Sequence, residues 1–223
     1  IAGYGLSRMG DYNGAVAAFE KGLTMTKRPD QLGELYHGLA NTHYYQGYKL
    51  QPDGLATYNL ALVKKASEAY ERSTEYEVRP LSYGNLGWMY FLLGDYKRAE
   101  SYSRRALGLD PSLEYVRLNL GLIYMFQGRV EDSFGTYVQV IRRNPPDETY
   151  LGGINDLREV QRDHPGRYPF GYLMMGMLAL KSGDYGLAND ALRRFVSAPN
   201  VPDNWRARGE RMLRTMDLSD VER

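Results

Sequence analysis

The side chains that most often carry out chemistry are few in this sequence, and their spacing matches no common catalytic or metal-binding motif. Its 223 residues contain three histidines, His37, His43 and His164, and no cysteine. His37 and His43 are six residues apart, which places them on different sides of a helix. There is no His-Glu-x-x-His motif, no Walker or dinucleotide-binding glycine loop and no nucleophile-elbow serine. We therefore expect no catalytic residue, no metal site and no cofactor, and do not expect an enzyme.

The overall composition excludes further classes of function. Hydrophobic residues make up 43% and charged residues 25% of the chain, close to the average for globular domains. The formal net charge of +1 argues against electrostatic binding of nucleic acid or an anionic membrane. No apolar run approaches the ~20 residues of a membrane-spanning helix, so we expect no direct membrane insertion. The lack of cysteine fits a cytoplasmic and a periplasmic location equally well, and the localisation stays open.

A sequence repeat of 34 residues organises the centre of the chain. The first copy contains Asn85, Leu86, Gly87, Tyr90, Gly94 and Pro111, and the second has Asn119, Leu120, Gly121, Tyr124, Gly128 and Pro145. The spacing of Leu86, Gly87 and Tyr90 places them on one face of a helix. Gly94-Asp95 ends that helix, and Asp95 can cap the next one. Each unit is therefore predicted to be two antiparallel helices joined by a tight turn.

Small residues recur in both helices of each predicted pair. Gly87 is followed twelve residues later by Ala99, and Gly121 by Ser133. A glycine inside a helix costs about 1 kcal/mol relative to alanine. Its recurrence therefore predicts a close approach of two helices that a side chain would prevent.

This pattern resembles the tetratricopeptide repeat family. The resemblance rests on Gly-Asp-Tyr at 10–12, 94–96 and 183–185, on Leu-Gly-x-x-Tyr at 86–90 and 120–124, and on Pro111 and Pro145. It implies an all-α fold, a right-handed α–α superhelix of about five helix pairs. We predict one repeat domain over 1–223, with repeats at about 1–29, 31–79, 80–113, 114–146 and 168–200. We also predict an extra helix at 147–163 and a C-terminal capping helix at 203–216.

The second repeat is longer than the others. Its small-residue pair, Ala40 and Ala66, is 26 residues apart instead of twelve. After the helix-breaking residues 51–54 we predict a long helix over 55–75, about 30 Å in length at 1.5 Å per residue. It should project beyond its neighbours, and its apolar side is a candidate assembly surface formed by Leu55, Tyr58, Leu62 and Val63. Alternatively, the projection folds back over the mouth of the groove described next.

The family resemblance implies a concave groove that binds an extended peptide along the first helices of the repeats. When the groove positions of the family are carried over to the equivalent repeat positions of this sequence, the candidate groove residues are Asn41, Tyr44, Asn85, Trp88, Phe91, Asn119, Leu122 and Met125. The amides of Asn85 and Asn119 are equivalent in adjacent repeats and could pair with a passing backbone. Alternatively, each fixes a neighbouring helix or faces water, and some of the apolar residues belong to the core between repeats. A clamp for acidic C-termini is not expected, because His37, Tyr115 and Asn119 occupy its cationic positions.

These features predict a protein–protein interaction scaffold that binds a partner peptide or protein segment through the groove. The alternatives are a self-assembly or oligomerisation module, and the regulatory arm of an enzyme whose catalytic domain lies outside this chain. The expected partner is a protein or peptide, with self-association as the alternative. Because the sequence starts at Ile1 within an incomplete repeat, we expect this chain to be part of a larger protein or complex.

Overall fold

The computed structural model describes residues 2–221 and the side chains as far as Met216. Within this range the chain forms twelve helices and one two-stranded sheet, which confirms the prediction of an all-α fold built from helix pairs. The chain divides into two compact units, one ending at Val116 and the other beginning at Arg117. The predicted division into repeats stays a prediction, and residues 1, 222 and 223 of the predicted range lie outside the described residues.

The first unit contains six helices in sequential pairs and one hairpin. The helices are α1 (Ala2–Arg8), α2 (Tyr12–Met25), α3 (Pro29–Gly47), α4 (Leu60–Tyr76), α5 (Pro80–Leu92) and α6 (Tyr96–Leu109). The Gly-Asp-Tyr turns form as their sequence predicts: Gly94 has a φ of 78°, and the Asp95 carboxylate accepts a hydrogen bond from the Arg98 backbone N–H at 3.0 Å. A positive φ is sterically unfavourable for residues that have a Cβ. Glycine at position 94 therefore allows the sharp turn.

The core of the first unit is built where large side chains face glycines. Phe19 of α2 is fully buried, and its ring lies where a Cβ on Gly3 would stand, with Cε2 only 2.7 Å away. On its other side the ring lies even closer to the place where a Cβ on Gly38 of α3 would stand. The two glycines therefore let three helices approach one aromatic ring.

The enlarged second repeat does not form the predicted long helix. Strands β1 (Tyr48–Leu50) and β2 (Ala56–Tyr58) form an antiparallel hairpin in which Lys49 pairs with Thr57. Helix α4 begins only at Leu60, because the Asn59 side chain caps it by accepting from the backbone N–H of Ala61 and Leu62. The prediction of a helix starting at residue 55 is therefore wrong. The β-favouring pair Thr57–Tyr58 and the Asn59 cap outweigh the helical spacing of the apolar residues.

The second unit contains most of α7 (Glu114–Phe126), then α8 (Val130–Arg143), α9 (Asp147–Asp163), α10 (Phe170–Ser182), α11 (Tyr185–Ser197) and α12 (Asp203–Val221). Helix α9 packs closely on α10, because a Cβ on Gly153 would lie 2.9 Å from Leu178 and 3.0 Å from Leu118. Gly153 therefore permits a close helix crossing. Trp205 of α12 packs edge-on against Phe134 and Phe170, which attaches the last helix to the rest of the unit.

Candidate binding surface

Two of the predicted groove residues are joined by a buried tyrosine in the first unit. Asn41 lies on α3, Asn85 on α5, and Tyr70 on α4 between them. The Tyr70 hydroxyl donates to Oδ1 of Asn41 and accepts from Nδ2 of Asn85 at 2.8 Å. Both amides are half-buried, whereas Tyr70 is 1% exposed. The predicted amides therefore belong to one hydrogen-bonded group.

Aromatic side chains form a row one helical turn further along the same two helices. Tyr44 follows Asn41 by three residues, and Trp88 follows Asn85 by three, so each ring lies on the same helix face as an amide. Tyr58 of the hairpin connects them, with ring centroids 6.2 Å from Tyr44 and 6.1 Å from Trp88. Phe91 extends the row by stacking on Trp88 at 5.2 Å. Four residues of the row, Tyr44, Tyr58, Trp88 and Phe91, are half-buried.

A cavity of about 370 Å³ opens beside Asn41, between α1 and α3. Its lining carries one guanidinium, one amide, five hydroxyl groups and no carboxylate: Tyr4, Ser7, Arg8, Tyr12, Gly38, Asn41, Thr42 and Tyr45. Tyr45 is 52% exposed. The cavity therefore offers polar contacts and aromatic surface next to the amide group.

The predicted groove residues of the second unit are buried in its core. Asn119 is 8% exposed, Leu122 is fully buried and Met125 is 4% exposed. A ligand on the surface would reach little of these side chains. Their positions agree with the alternative in which these residues belong to the core between helices.

The predicted assembly surface is largely covered by its own repeat. Leu55 is 5% exposed and Val63 is fully buried, while Tyr58 and Leu62 are half-buried. Instead, the exposed apolar side chains near the hairpin are Leu50 at 59% and Leu60 at 54%. The hairpin explains the difference, because it folds Leu55 inward and brings Tyr58 to the aromatic row.

Sequence reasoning missed Tyr45 and Tyr48 as members of this surface, and Tyr70 as the buried residue beneath it. Tyr48 contacts both Tyr44 and Tyr58, with centroids 6.1 and 5.9 Å away. The local density of tyrosine over residues 44–58 could have indicated the aromatic row. The role of Tyr70 could not be predicted from the sequence, because it depends on how α4 packs between α3 and α5.

One histidine of the first unit is hydrogen-bonded to a serine, but the pair is not accessible to a substrate. His37 Nδ1 lies 2.8 Å from Oγ of Ser82, but Ser82 is fully buried, so a substrate has no path to the hydroxyl. Burial, and to a lesser degree the positive charge of Arg79, lowers the pKa of His37 from 6.5 to about 4. His37 is therefore neutral at pH 7. The described residues contain no group of three or more His, Asp or Glu side chains that could hold a metal ion.

None of the described helices combines the length and apolar composition needed to cross a membrane.

Two family models, both described as Tetratricopeptide repeat, match residues 81–113 and 173–211. In sequence the chain is 32% identical over 92 residues to human Cilia- and flagella-associated protein 70. The aligned segment covers 40% of this chain and 8% of that protein. It is 28% identical over 132 residues to Photosystem I assembly protein Ycf3 of Synechococcus sp. (strain CC9311), covering 57% of this chain and 73% of that one. The match thus spans less than a tenth of the human protein.

Solved structures of similar fold include MamA and YrrB, the latter described as a TPR protein with an unusual peptide-binding site. MamA is 18% identical with a TM-score of 0.52, over 89% of this chain and 94% of that chain. YrrB is 15% identical with a TM-score of 0.54, over 88% of this chain and 82% of that chain. At these identities the likeness concerns the fold alone.

Proposed function

Because the chain belongs to the tetratricopeptide repeat family, we propose that it is a non-catalytic scaffold that binds an extended segment of a partner protein. The binding surface is that of α3 and α5 in the first unit. The observation that carries the proposal is the pairing of an amide row with a ring row. Asn41 and Asn85 meet at Tyr70, and Tyr44 and Trp88 meet at Tyr58.

The chemistry of this surface suits a peptide. Amides can hydrogen-bond to a main chain whatever its sequence, while half-buried aromatic rings offer contact area at a small entropic cost. The cavity beside Asn41 could accept a side chain of the bound segment. Trp88 is the residue expected to contribute most, since tryptophan is enriched among residues that dominate binding energies.

The similarities reported above agree with a role in binding and assembly. Ycf3 is named as an assembly protein, and the YrrB structure is described as having a peptide-binding site. Neither name identifies a partner for this chain. The proposal is therefore limited to the class of partner, a protein that presents an extended segment.

The test is selection of binding peptides from a displayed library of random sequences, followed by fluorescence anisotropy with the purified chain. Trp88→Ala should raise Kd at least about 10-fold, the scale of a residue that dominates an interface. Tyr185→Ala is the matched control, an aromatic in the second unit that is 39% exposed, and should leave Kd unchanged. Equal affinity of the wild type and Trp88→Ala would place binding elsewhere.

A second candidate function is self-association around the hairpin. It is favoured by the exposed side chains of Leu50 and Leu60, together with Tyr48 at 37% exposure. Leu50 ends β1, and the outer edge of a two-stranded sheet can pair with another strand. Light scattering at several concentrations should then show a dimer that Leu50→Lys abolishes. A concentration-independent monomer removes this candidate.

A further inference from the structure

We propose that Tyr70 is a positioning residue that holds the Asn41 and Asn85 amides in opposite orientations, so that the pair binds one C=O and one N–H of an extended main chain. This inference rests on the proposed function and identifies what its surface recognises. Asn41 would donate from Nδ2 to a carbonyl oxygen of the bound segment. Asn85 would accept with Oδ1 from one of its N–H groups.

The opposite orientations follow from the hydrogen-bonding capacity of a phenol. A tyrosine hydroxyl has one hydrogen to donate and lone pairs to accept with. Tyr70 donates that hydrogen to Oδ1 of Asn41, so a second amide can approach only as a donor, and Asn85 does so with Nδ2 at 2.8 Å. The arrangement leaves the amide nitrogen of Asn41 and the amide oxygen of Asn85 without a partner among the described residues.

Tyr70 is held firmly enough to impose this arrangement. Its side chain is 1% exposed, and its ring packs edge-on against His37 with centroids 5.6 Å apart. Burial also raises the pKa of Tyr70 above its ordinary value of 10.0, so the hydroxyl keeps its hydrogen at neutral pH. The two asparagines are only half-buried, and their unpaired atoms are the ones left for a ligand.

A donor beside an acceptor selects the class of ligand. A carboxylate or phosphate offers only acceptors and would face the oxygen of Asn85, while an ammonium or guanidinium offers only donors and would face the NH₂ of Asn41. A peptide main chain carries both groups at every residue other than proline. The pair therefore fits the backbone of an extended segment, and the aromatic row beside it fits that segment's side chains.

The first experiment measures the Kd of a peptide selected as described above for the wild type and two variants. Tyr70→Phe keeps the ring and its contact with His37 but frees both amides to rotate, and should raise Kd about 3- to 10-fold, the equivalent of one hydrogen bond. Asn41→Asp still accepts from Tyr70 but cannot donate to the peptide, and should raise Kd about 10-fold or more. The control is Tyr137→Phe, which removes another buried hydroxyl, one that lacks a hydrogen-bond partner, and should not change Kd.

A second measurement separates positioning from a purely structural role. Peptides methylated at one backbone nitrogen at a time lose a single N–H donor. One such peptide should bind the wild type with a Kd about 10-fold higher than that of its parent. For Tyr70→Phe the same methylation should raise Kd less than about 2-fold, because the oxygen of Asn85 is no longer fixed. Loss of stability alone would weaken all peptides equally.

The outcomes distinguish this inference from the proposed function. A peptide whose affinity depends on Trp88 but not on Tyr70 or Asn41 overturns the inference and leaves the function standing. A wild-type chain that binds no selected peptide overturns both. The orientation is also checked without a ligand, since Tyr70→Phe should shift the side-chain NH₂ resonances of Asn85. Unchanged Asn85 resonances would overturn the inference whatever the peptide results.

Discussion

The hydroxyl of Ser133 donates a hydrogen bond to the backbone carbonyl oxygen of Gly121 at 2.8 Å, joining α8 to α7. Ser133 is fully buried, and a Cβ on Gly121 would meet the ring of Tyr137, one helical turn after Ser133 on α8. The two small residues, twelve positions apart in the sequence, are therefore in direct contact where the helices cross. At Gly87 and Gly176 an added Cβ would lie 3.2 and 3.5 Å from the backbone carbonyl oxygens of Ala99 and Ala188, so these pairs also mark close helix crossings.

Gly121→Ala should destabilise the second unit. A Cβ at this position would lie 2.6 Å from Cε2 and 2.9 Å from Cδ2 of Tyr137, and that ring is fully buried, so it cannot move aside. The expected loss is about 1–3 kcal/mol in the free energy of unfolding, measured by urea denaturation followed by circular dichroism. Gly135→Ala in α8 is the control, because its Cβ would meet no atom within 4 Å. Gly135→Ala should increase the free energy of unfolding by about 0.5–1 kcal/mol. A similar loss of unfolding free energy in both variants would contradict the packing explanation.

Arg206 should stabilise the end of α11. Its guanidinium donates to the backbone carbonyl oxygens of Val196, Ala198 and Val201, the last two at 3.0 Å. Arg206→Met keeps an apolar side chain but leaves these carbonyls without the donor, at a cost of about 1–3 kcal/mol. Hydrogen exchange of α11 and thermal unfolding measure the effect. Arg214→Met, which changes an exposed arginine of the same helix, should leave both unchanged, and equal losses would show that charge alone is responsible.

The lowered pKa of His37 makes folding depend on pH. Between pH 6.5 and about 4 the unfolded chain binds a proton at this side chain and the folded chain does not, so stability is complete above pH 6.5 and falls as the pH decreases through this range. Over the whole window the loss is about 1–3 kcal/mol. Urea unfolding at pH 7.5 and 4.5 measures it, and His37→Gln should show a smaller difference between the two pH values. An unchanged difference would indicate that other groups are responsible.

Asp156 of α9 should make the stability depend on pH in the opposite direction from His37. Burial, and secondarily the charge of Glu159, raises the pKa of its carboxyl from 3.8 to about 7. Below pH 3.8 both folded and unfolded chains are protonated there, and stability is then lost as the pH rises through about 7, because the folded protein must hold a buried carboxylate. Asp156→Asn should therefore be more stable than the wild type by about 1–3 kcal/mol at pH 8, and close to it at pH 4. Equal stabilities at pH 8 would contradict this reading.

Local chemistry accounts for what the sequence predicted correctly. Asp11, Asp95 and Asp184 each accept a hydrogen bond from a backbone N–H three residues later, and these turns need no information from distant residues. The 34-residue spacing and the small-residue pairs likewise led to the helix pairs. The predicted groove stays a prediction: Asn41, Asn85 and Trp88 are half-buried and accessible in part, whereas Leu122 and Met125 are buried.

The sequence by itself determined that most of the chain folds into helices, where the Gly-Asp turns separate them, and that neighbouring helices must pack at small residues. Only the tertiary structure decided which face of each helix remains exposed, that residues 48–58 form a hairpin, and that Tyr70 joins two asparagines. The physical reason is the range of the interactions. Capping and turn formation act over three or four residues, whereas burial and hydrogen bonding between α3, α4 and α5 depend on side chains up to 45 positions apart, as from His37 to Ser82.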